Sequence, residues 1–379
     1  ASLEPSEAEY RKFILNRTGI LTEHGQWVLA ADGKSWVSTK VKENPEAVKP
    51  QNPENQQDFH YRPPEHFGQP VERPLFHEIT FVGLDGREKI KVTATELLPK
   101  DLRDVSKREN TYARAETYFA ELKNLKAGEL YVSEVVGPYV KTRVIGTLTP
   151  EKAKSLGIPF EPAKEAYAGK ENPNGRRFRG LVRWAAPVVK AGRITGYVTL
   201  ALDHDHLMQF TNRLMPTDAR YTEIPNAAEG NYAFLWDHQH HAIAHPRHYS
   251  IVGFDPDTGE YEVPWLEASL YAAWQKSGQP IWPFLASVKP FDQQSRHKKQ
   301  SVELLRAGKV AIDCRYVNSA PQCQGWRDLT EQGGSGSFVI LWSGVWKLTT
   351  AASIPYFTGQ YSRTPRGFGY VTIGANVDE

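Results

Sequence analysis

Apolar residues at Tyr10, Phe13, Ile14 and Leu21 fall at helical spacing with charged residues between them, and Pro5-Ser6 just ahead is a start signal. A helix is therefore predicted over residues 7–21. Residues 45–70 carry Pro45, Pro50, Pro53, Pro63, Pro64 and Pro70 among polar side chains and read as a long surface connection. The period then changes to two. Ile79-Thr80-Phe81-Val82 and Lys89-Ile90-Lys91-Val92 flank Asp85-Gly86, a hairpin signature. A second helix is predicted over residues 109–126, with Gly128 placed to cap it. Strand-like runs follow at 130–133, 181–184 and 194–203. A third helix is predicted over 204–214, carrying Met208 and ending at Met215.

From there the strand pattern restarts. Residues 232–236 and 242–244 flank a polar turn at 237–240, and further runs stand at 338–342, 346–351 and 369–373. The restart has a sequence echo: Gly196-Tyr197-Val198-Thr199-Leu200 returns as Gly369-Tyr370-Val371-Thr372-Ile373, with Asp203 and Asp378 after the two copies. Ala186-Pro187-Val188 has a looser echo in Ala352-Ser353-Ile354-Pro355. The expected fold class is α+β: a long N-terminal helix, then two tandem modules, each an antiparallel sheet flanked by helices. The expected divisions are a helical stalk over 1–45, a first module over 46–214 and a second over 215–379.

Composition narrows the function classes. A length of 379 residues suits two domains rather than one core. Lys and Arg number 46 against 44 Asp and Glu, so the basic excess that a nucleic-acid surface needs is absent. No apolar run approaches the roughly 18 residues of a membrane-spanning helix. The chain opens on Ala1 and stops at Asp378-Glu379 directly after a strand-like run, which reads as a segment of a longer protein. Cys314 and Cys323, with eight residues between them, are close enough to close a disulfide loop. That pairing favours an oxidising compartment; free thiols are the alternative.

Catalytic signatures are sparse. No G-x-S-x-G, P-loop or dinucleotide fingerprint is present, and Gly333-Gly334-Ser335-Gly336-Ser337, with no Lys-Ser/Thr after it, reads as a flexible loop. Ten Trp and 17 Tyr would suit a sugar cleft, which keeps a secreted carbohydrate-active enzyme as an alternative. His238, His240, His241, His245 and His248 form a dense run that could bind Zn²⁺ or Ni²⁺, but the spacing matches no structural zinc pattern. The prevailing expectation for them is a polar hairpin turn, and no cofactor is expected.

Several phrases in order resemble one family. They are Tyr131-Val132-Ser133-Glu134, then Ala185-Ala186-Pro187-Val188-Val189 with residues 196–203, and, in the second half, Leu235-Trp236-Asp237, Ile243-Ala244-His245-Pro246 and Thr350-Ala351-Ala352-Ser353-Ile354-Pro355. Together they are similar to the double Cache domain, a tandem PAS-like sensor on the outer side of bacterial transmembrane receptors. The resemblance implies a periplasmic, non-enzymatic sensor, anchored by flanking membrane helices and signalling to a kinase, chemoreceptor or other output. It implies a ligand in the first, membrane-distal module and a homodimer contact through the N-terminal helix. A free-standing periplasmic solute-binding protein is the nearest rival, with a metal sensor behind it.

The resemblance also implies site residues. Arg114, Tyr118 and Phe119 match the helix that holds a ligand carboxylate in the amino-acid sensors, with Arg114 and Tyr118 at i and i+4 of the predicted helix. Tyr131 and Ser133 match the following strand, and Asp203 the closing Asp that holds an ammonium group. The family's Arg-x-Trp-Tyr and Asp-x-x-Thr-Gly stretches are missing. The expected ligand is therefore a small carboxylate rather than an α-amino acid, with Arg183 or Trp184 contributing from a neighbouring strand.

Overall fold

The computed structural model describes residues 5–22, 27–29, 35–38, 70–142, 154, 176–212, 214–217, 220–222, 232–245, 251–263, 268–288, 321–342 and 345–377. Residues 45–69 of the proline-rich connection, Cys314, His248 and Asp378 lie outside them.

Helix α1 (Glu7–Leu15) starts where predicted, with Ser6 Oγ accepting from the Glu9 N–H at 3.2 Å. It stops six residues early. Residues 18–22 alternate, with Leu21 buried and Ile20 exposed, and β-branched Thr18, Ile20 and Thr22 favour extended backbone. They form β1 (Thr18–Thr22), followed by β2 (Trp27–Leu29), β3 (Ser35–Ser38) and β4 (Pro70–Pro74), and β1 pairs antiparallel with β4. The long N-terminal helix expected from Leu21's spacing is thus one of nine residues. Tyr10 and Ile14 are buried against the first module's sheet.

That sheet begins with the predicted hairpin, β5 (Phe76–Gly83) and β6 (Glu88–Thr93), with Gly86 at φ +80° in its turn. The second predicted helix is broken. Residues 108–110 and 112–114 form two 3₁₀ turns, Ala113 and Arg114 take positive φ, and only α2 (Tyr118–Leu122) is regular. Strands β7 (Tyr131–Val136), β8 (Tyr139–Thr142), β9 (Arg176–Phe178), β10 (Leu181–Lys190) and β11 (Arg193–Asp203) follow. The five-stranded sheet runs β6-β5-β11-β10-β7, and β2, β3, β8 and β9 make a smaller sheet.

Helix α3 (His204–Asn212) leads out of β11, and Met208 is buried on it. Met215 belongs to β12 (Leu214–Thr217), which pairs with β13 (Arg220–Thr222), so it is not a helix residue. The second module holds β14 (Tyr232–Asp237), β15 (Ala242–Ala244), α4 (Ala268–Ser277), α5 (Ile281–Ser287), α6 (Pro321–Thr330), β16 (Ser335–Trp342), β17 (Val345–Ile354) and β18 (Gly369–Asn376). Ser335, Gly336 and Ser337 sit inside β16, not in a flexible loop. The second sheet runs β15-β14-β18-β17-β16. Counting strands within each module, both sheets have the order 2-1-5-4-3, so the duplication expected from the repeat is present in the fold.

The repeated pentapeptide lies in the central strand of each sheet, and its glycine has a steric reason. A Cβ on Gly196 would stand 2.6 Å from the Val82 carbonyl oxygen, and one on Gly369 would stand 2.0 Å from that of Trp236. Val82 and Trp236 are equivalent: each pairs with the tyrosine after the glycine, Tyr197 and Tyr370. The threonines serve the inner face, Thr199 bonded to Thr80 and Thr372 accepting from Trp236 Nε1 at 3.0 Å.

Each sheet has one face covered by its own helical segment. In the first, the 3₁₀ turns and α2 cover the inner face with Tyr112, Tyr118, Phe119 and Leu122. In the second, α6 covers it with Cys323 and Trp326 against Phe234, Trp236 and Tyr370. Cys323 is disulfide-bonded and buried. The opposite, outer faces of the two sheets meet each other around α3, in one apolar cluster with Val132, Val182, Met208, Leu235 and Ile243. Polar bonds also cross this junction. Tyr361 Oη donates to the Ser133 carbonyl at 2.9 Å and Gln360 Nε2 to that of Val132 at 2.8 Å.

Candidate functional site

Under α2 the inner face of the first sheet holds a closed cluster of charge. Alternation along β10 turns Arg183 inward between Val182 and Trp184, which point outward. The Arg183 guanidinium is gripped by Glu116 from the covering segment: Nε donates to Oε1 at 2.5 Å and Nη2 to Oε2 at 3.0 Å. Nη1 donates to Glu78 Oε1 at 3.0 Å and to Thr199 Oγ1 at 3.3 Å. The Tyr118 ring packs beneath it, 4.6 Å from ring centre to guanidinium carbon. Lys91 Nζ lies 2.6 Å from Glu88 and 3.7 Å from Glu78. All these side chains are buried.

The cluster therefore brings three carboxylates, Glu78, Glu88 and Glu116, against two cations, Arg183 and Lys91. Burial opposes the guanidinium charge, but Glu116 first, with Tyr118 and Glu78, holds the Arg183 pKa well above its usual value. Burial foremost raises the Glu88 pKa, disfavouring its charged form, and the nearby Glu78 adds to that, against the pull of Lys91. Burial also raises the phenol pKa values of Tyr118 and Tyr131.

Of the residues expected at a ligand site, Tyr118, Phe119, Tyr131, Ser133 and Arg183 do converge on this face. Ser133 Oγ accepts the Arg183 backbone N–H at 2.8 Å and donates to the Glu134 carbonyl at 2.6 Å. Phe119 meets Tyr197 edge-on at 6.3 Å. Arg114 does not join them. With no continuous helix, the i, i+4 relation to Tyr118 is lost, and Arg114 is exposed with Nη1 donating to the Asp257 carbonyl at 3.0 Å. Trp184 stands on the opposite face of the sheet.

Asp203 has another task. It ends β11 and caps α3, its Oδ1 accepting from the Asp205 N–H at 2.9 Å. The same oxygen lies 3.1 Å from His77 Nε2, and Arg179 pairs with Asp205 beside it. Burial works to raise the Asp203 pKa, but His77 and Arg179 outweigh it and hold the carboxyl below the usual range.

The histidines disperse to separate partners. His241 Nδ1 is 2.7 Å from Asp237 Oδ2, His240 Nδ1 is 3.0 Å from Tyr370 Oη, His245 stacks on Phe234 at 3.9 Å and His238 meets Tyr361 edge-on at 5.4 Å. Among the described residues no group of three or more His, Cys, Asp or Glu is placed to share a metal ion.

Glu116, Glu78, Lys91 and Glu88 were not anticipated from the sequence. Glu78 and Lys91 had a readable signal, since each is a charged residue in phase with the inward positions of its strand, Glu78 with Thr80 and Val82. Glu116 has none, because local spacing predicts a helix at its position and that helix does not form.

No family model and no curated protein matches the chain. Solved structures are similar to it over 80% of its length. One is a domain assigned to the sensory box/GGDEF family from Vibrio parahaemolyticus, at 14% identity over 71% of that chain, with a TM-score of 0.37. Another is the extracellular domain described as that of histidine kinase vpHK1S-Z8, at 13% identity over 70% of that chain, with a TM-score of 0.37. A third is the ligand-binding domain of the Campylobacter jejuni chemoreceptor Tlp3 in complex with L-norvaline, at 10% identity over 66% of that chain, with a TM-score of 0.31.

Proposed function

We propose that this chain is the ligand-sensing portion of an extracytoplasmic receptor. It binds a small carboxylate at the inner face of its first module and responds by moving one module against the other, with no chemistry of its own. The observation that carries this reading is Glu116. Its carboxylate fills two donors of a buried guanidinium that stacks on an aromatic ring, the contact a free carboxylate ligand would make. In this reading Glu116 is an internal stand-in, and ligand enters by exchange with it.

Such an exchange couples binding to shape. Glu116 belongs to the segment that covers the sheet, so releasing it frees that segment, and occupancy and segment position become one equilibrium. The site also reaches the second module directly. Ser133 accepts the Arg183 N–H with its hydroxyl and the Tyr361 hydroxyl with its carbonyl, so a shift of β7 at the site is felt across the junction. A homodimer through the N-terminal helix would use the face of α1 bearing exposed Leu15, since Tyr10 and Ile14 are engaged.

The test is a thermal-shift and calorimetric titration with acetate, propionate, succinate and amino acids on the wild type and on Glu116→Gln. At 100 times its dissociation constant a ligand adds about 2.7 kcal/mol of stability. A weakened internal competitor should raise carboxylate affinity in Glu116→Gln by about tenfold, the equivalent of ~1.4 kcal/mol. Silence toward every carboxylate in both proteins would end the proposal.

A further inference from the structure

We infer that the cleft between the two modules is a second binding site, for an uncharged hydrophobic small molecule of roughly twelve carbon atoms. It is separate from the carboxylate reading, because it lies on the other face of the first sheet. Val182, Trp184 and Leu202 of the first sheet, Phe210 of α3, and Ile354 and Val371 of the second module line a cavity of ≈ 360 Å³. Every lining side chain is apolar or aromatic.

The vacancy has a topological origin. α1 covers the outer face of the first sheet over β5 and β6, and the second module must cover the rest over β10 and β7. The two outer faces close on each other around α3 but leave the space beside Trp184 unfilled. At its mouth Trp184 is 37% and Phe210 63% exposed, two large aromatic side chains held in water. On the inner face of the second sheet, by contrast, Phe234, Trp236, Trp326 and Tyr370 pack against one another.

The lining selects the class of ligand. No wall residue offers a charge, and the one hydroxyl among them, on Tyr356, cannot replace the water an ammonium or carboxylate group would lose. That excludes free amino acids and the small acids proposed for the other face. An apolar cavity of about 150 Å³ stays dry and takes one benzene ring, so this volume suits roughly two fused rings or an alkyl chain of similar bulk. Because the walls come from both modules, an occupant would set their spacing.

The experiment is a fluorescence titration of the whole chain with N-phenyl-1-naphthylamine, an uncharged probe, followed by competition with 1-decanol and separately with excess acetate. The expected result is saturable enhancement with one probe per chain, reversed by decanol and untouched by acetate. Leu202→Trp, which fills the cleft, should weaken the probe at least tenfold. Trp184→Asp, at the exposed mouth where folding is least at risk, should do the same. Absence of saturable binding, displacement by acetate, or an unchanged dissociation constant in Trp184→Asp with its circular dichroism intact would overturn the inference. Loss of probe binding in these variants leaves carboxylate binding at Arg183 untouched, and that site is read by its own titration.

Discussion

Replacing Glu116 by Ala tests the charge cluster at its centre. The substitution removes two of the four side-chain bonds that Arg183 makes, at 2.5 and 3.0 Å, and leaves Glu78 at 3.0 Å and Thr199 at 3.3 Å. Removing one partner of a buried ion pair costs roughly 3–5 kcal/mol, because the remaining charge stays desolvated. Here Glu78 still faces the guanidinium, so the lower end applies, about 3 kcal/mol. Glu88→Gln provides the contrast. It removes the surplus carboxylate, leaves Glu78 and Glu116 against Arg183 and Lys91, and keeps an acceptor for the Arg103 N–H that Glu88 holds at 2.8 Å. Gln also keeps an oxygen for Lys91, which retains Glu78 at 3.7 Å, so its cost should be the smaller of the two. The pH dependence has a definite sign. A carboxyl whose folded pKa is raised contributes its full stability below the unfolded value, about 4.3, and loses it as pH rises through the folded value. Glu88→Gln should therefore flatten the fall in stability above pH 4.3. Urea unfolding of the three proteins between pH 4 and 8 measures all of this. Equal losses in Glu116→Ala and Glu88→Gln would refute the argument that Glu88 is the carboxyl whose charge the buried cluster disfavours.

Gly369→Ala should destabilise the second module by at least 1–3 kcal/mol, because its new Cβ meets a backbone carbonyl at 2.0 Å, and Gly196→Ala should cost less, at 2.6 Å; thermal unfolding ranks the two. Burial foremost, with Arg327 and Arg366, lowers the His240 pKa to about 3, so its contribution is present above pH 6.5 and is lost as pH falls toward 3. His240→Asn, whose side chain suits the positive φ of 73° there, should reduce that acid sensitivity in denaturation curves at pH 4 and 7. Arg114→Ala should leave carboxylate binding unchanged and cost no more than about 0.5 kcal/mol, since the side chain is exposed and bonded only to a loop carbonyl; loss of binding in calorimetry would return it to the site.

The parts of this fold legible in the sequence are those set by neighbours in the chain. Asp85-Gly86 between two alternating runs specifies a hairpin through local backbone preference alone, and the structure has that hairpin. The duplication was legible because the same steric demand, a glycine crossing a hairpin strand's carbonyl, recurs in both modules and keeps the same residue at 196 and 369. The failures share a cause. Residues 18–22 became a strand because a partner lay at 70–74, and residues 109–117 left the helix as Glu116 turned to an arginine 67 positions away. Long-range pairing overrode local spacing in both. Arg183 and Trp184 are adjacent in the sequence, yet strand alternation separates them onto opposite faces. What only the tertiary structure decided is which face does what. Arg183 is paired with Glu116 and Glu78 inside one module, and Trp184 stands at a cleft where the outer faces of two sheets meet around α3 without filling the space between them.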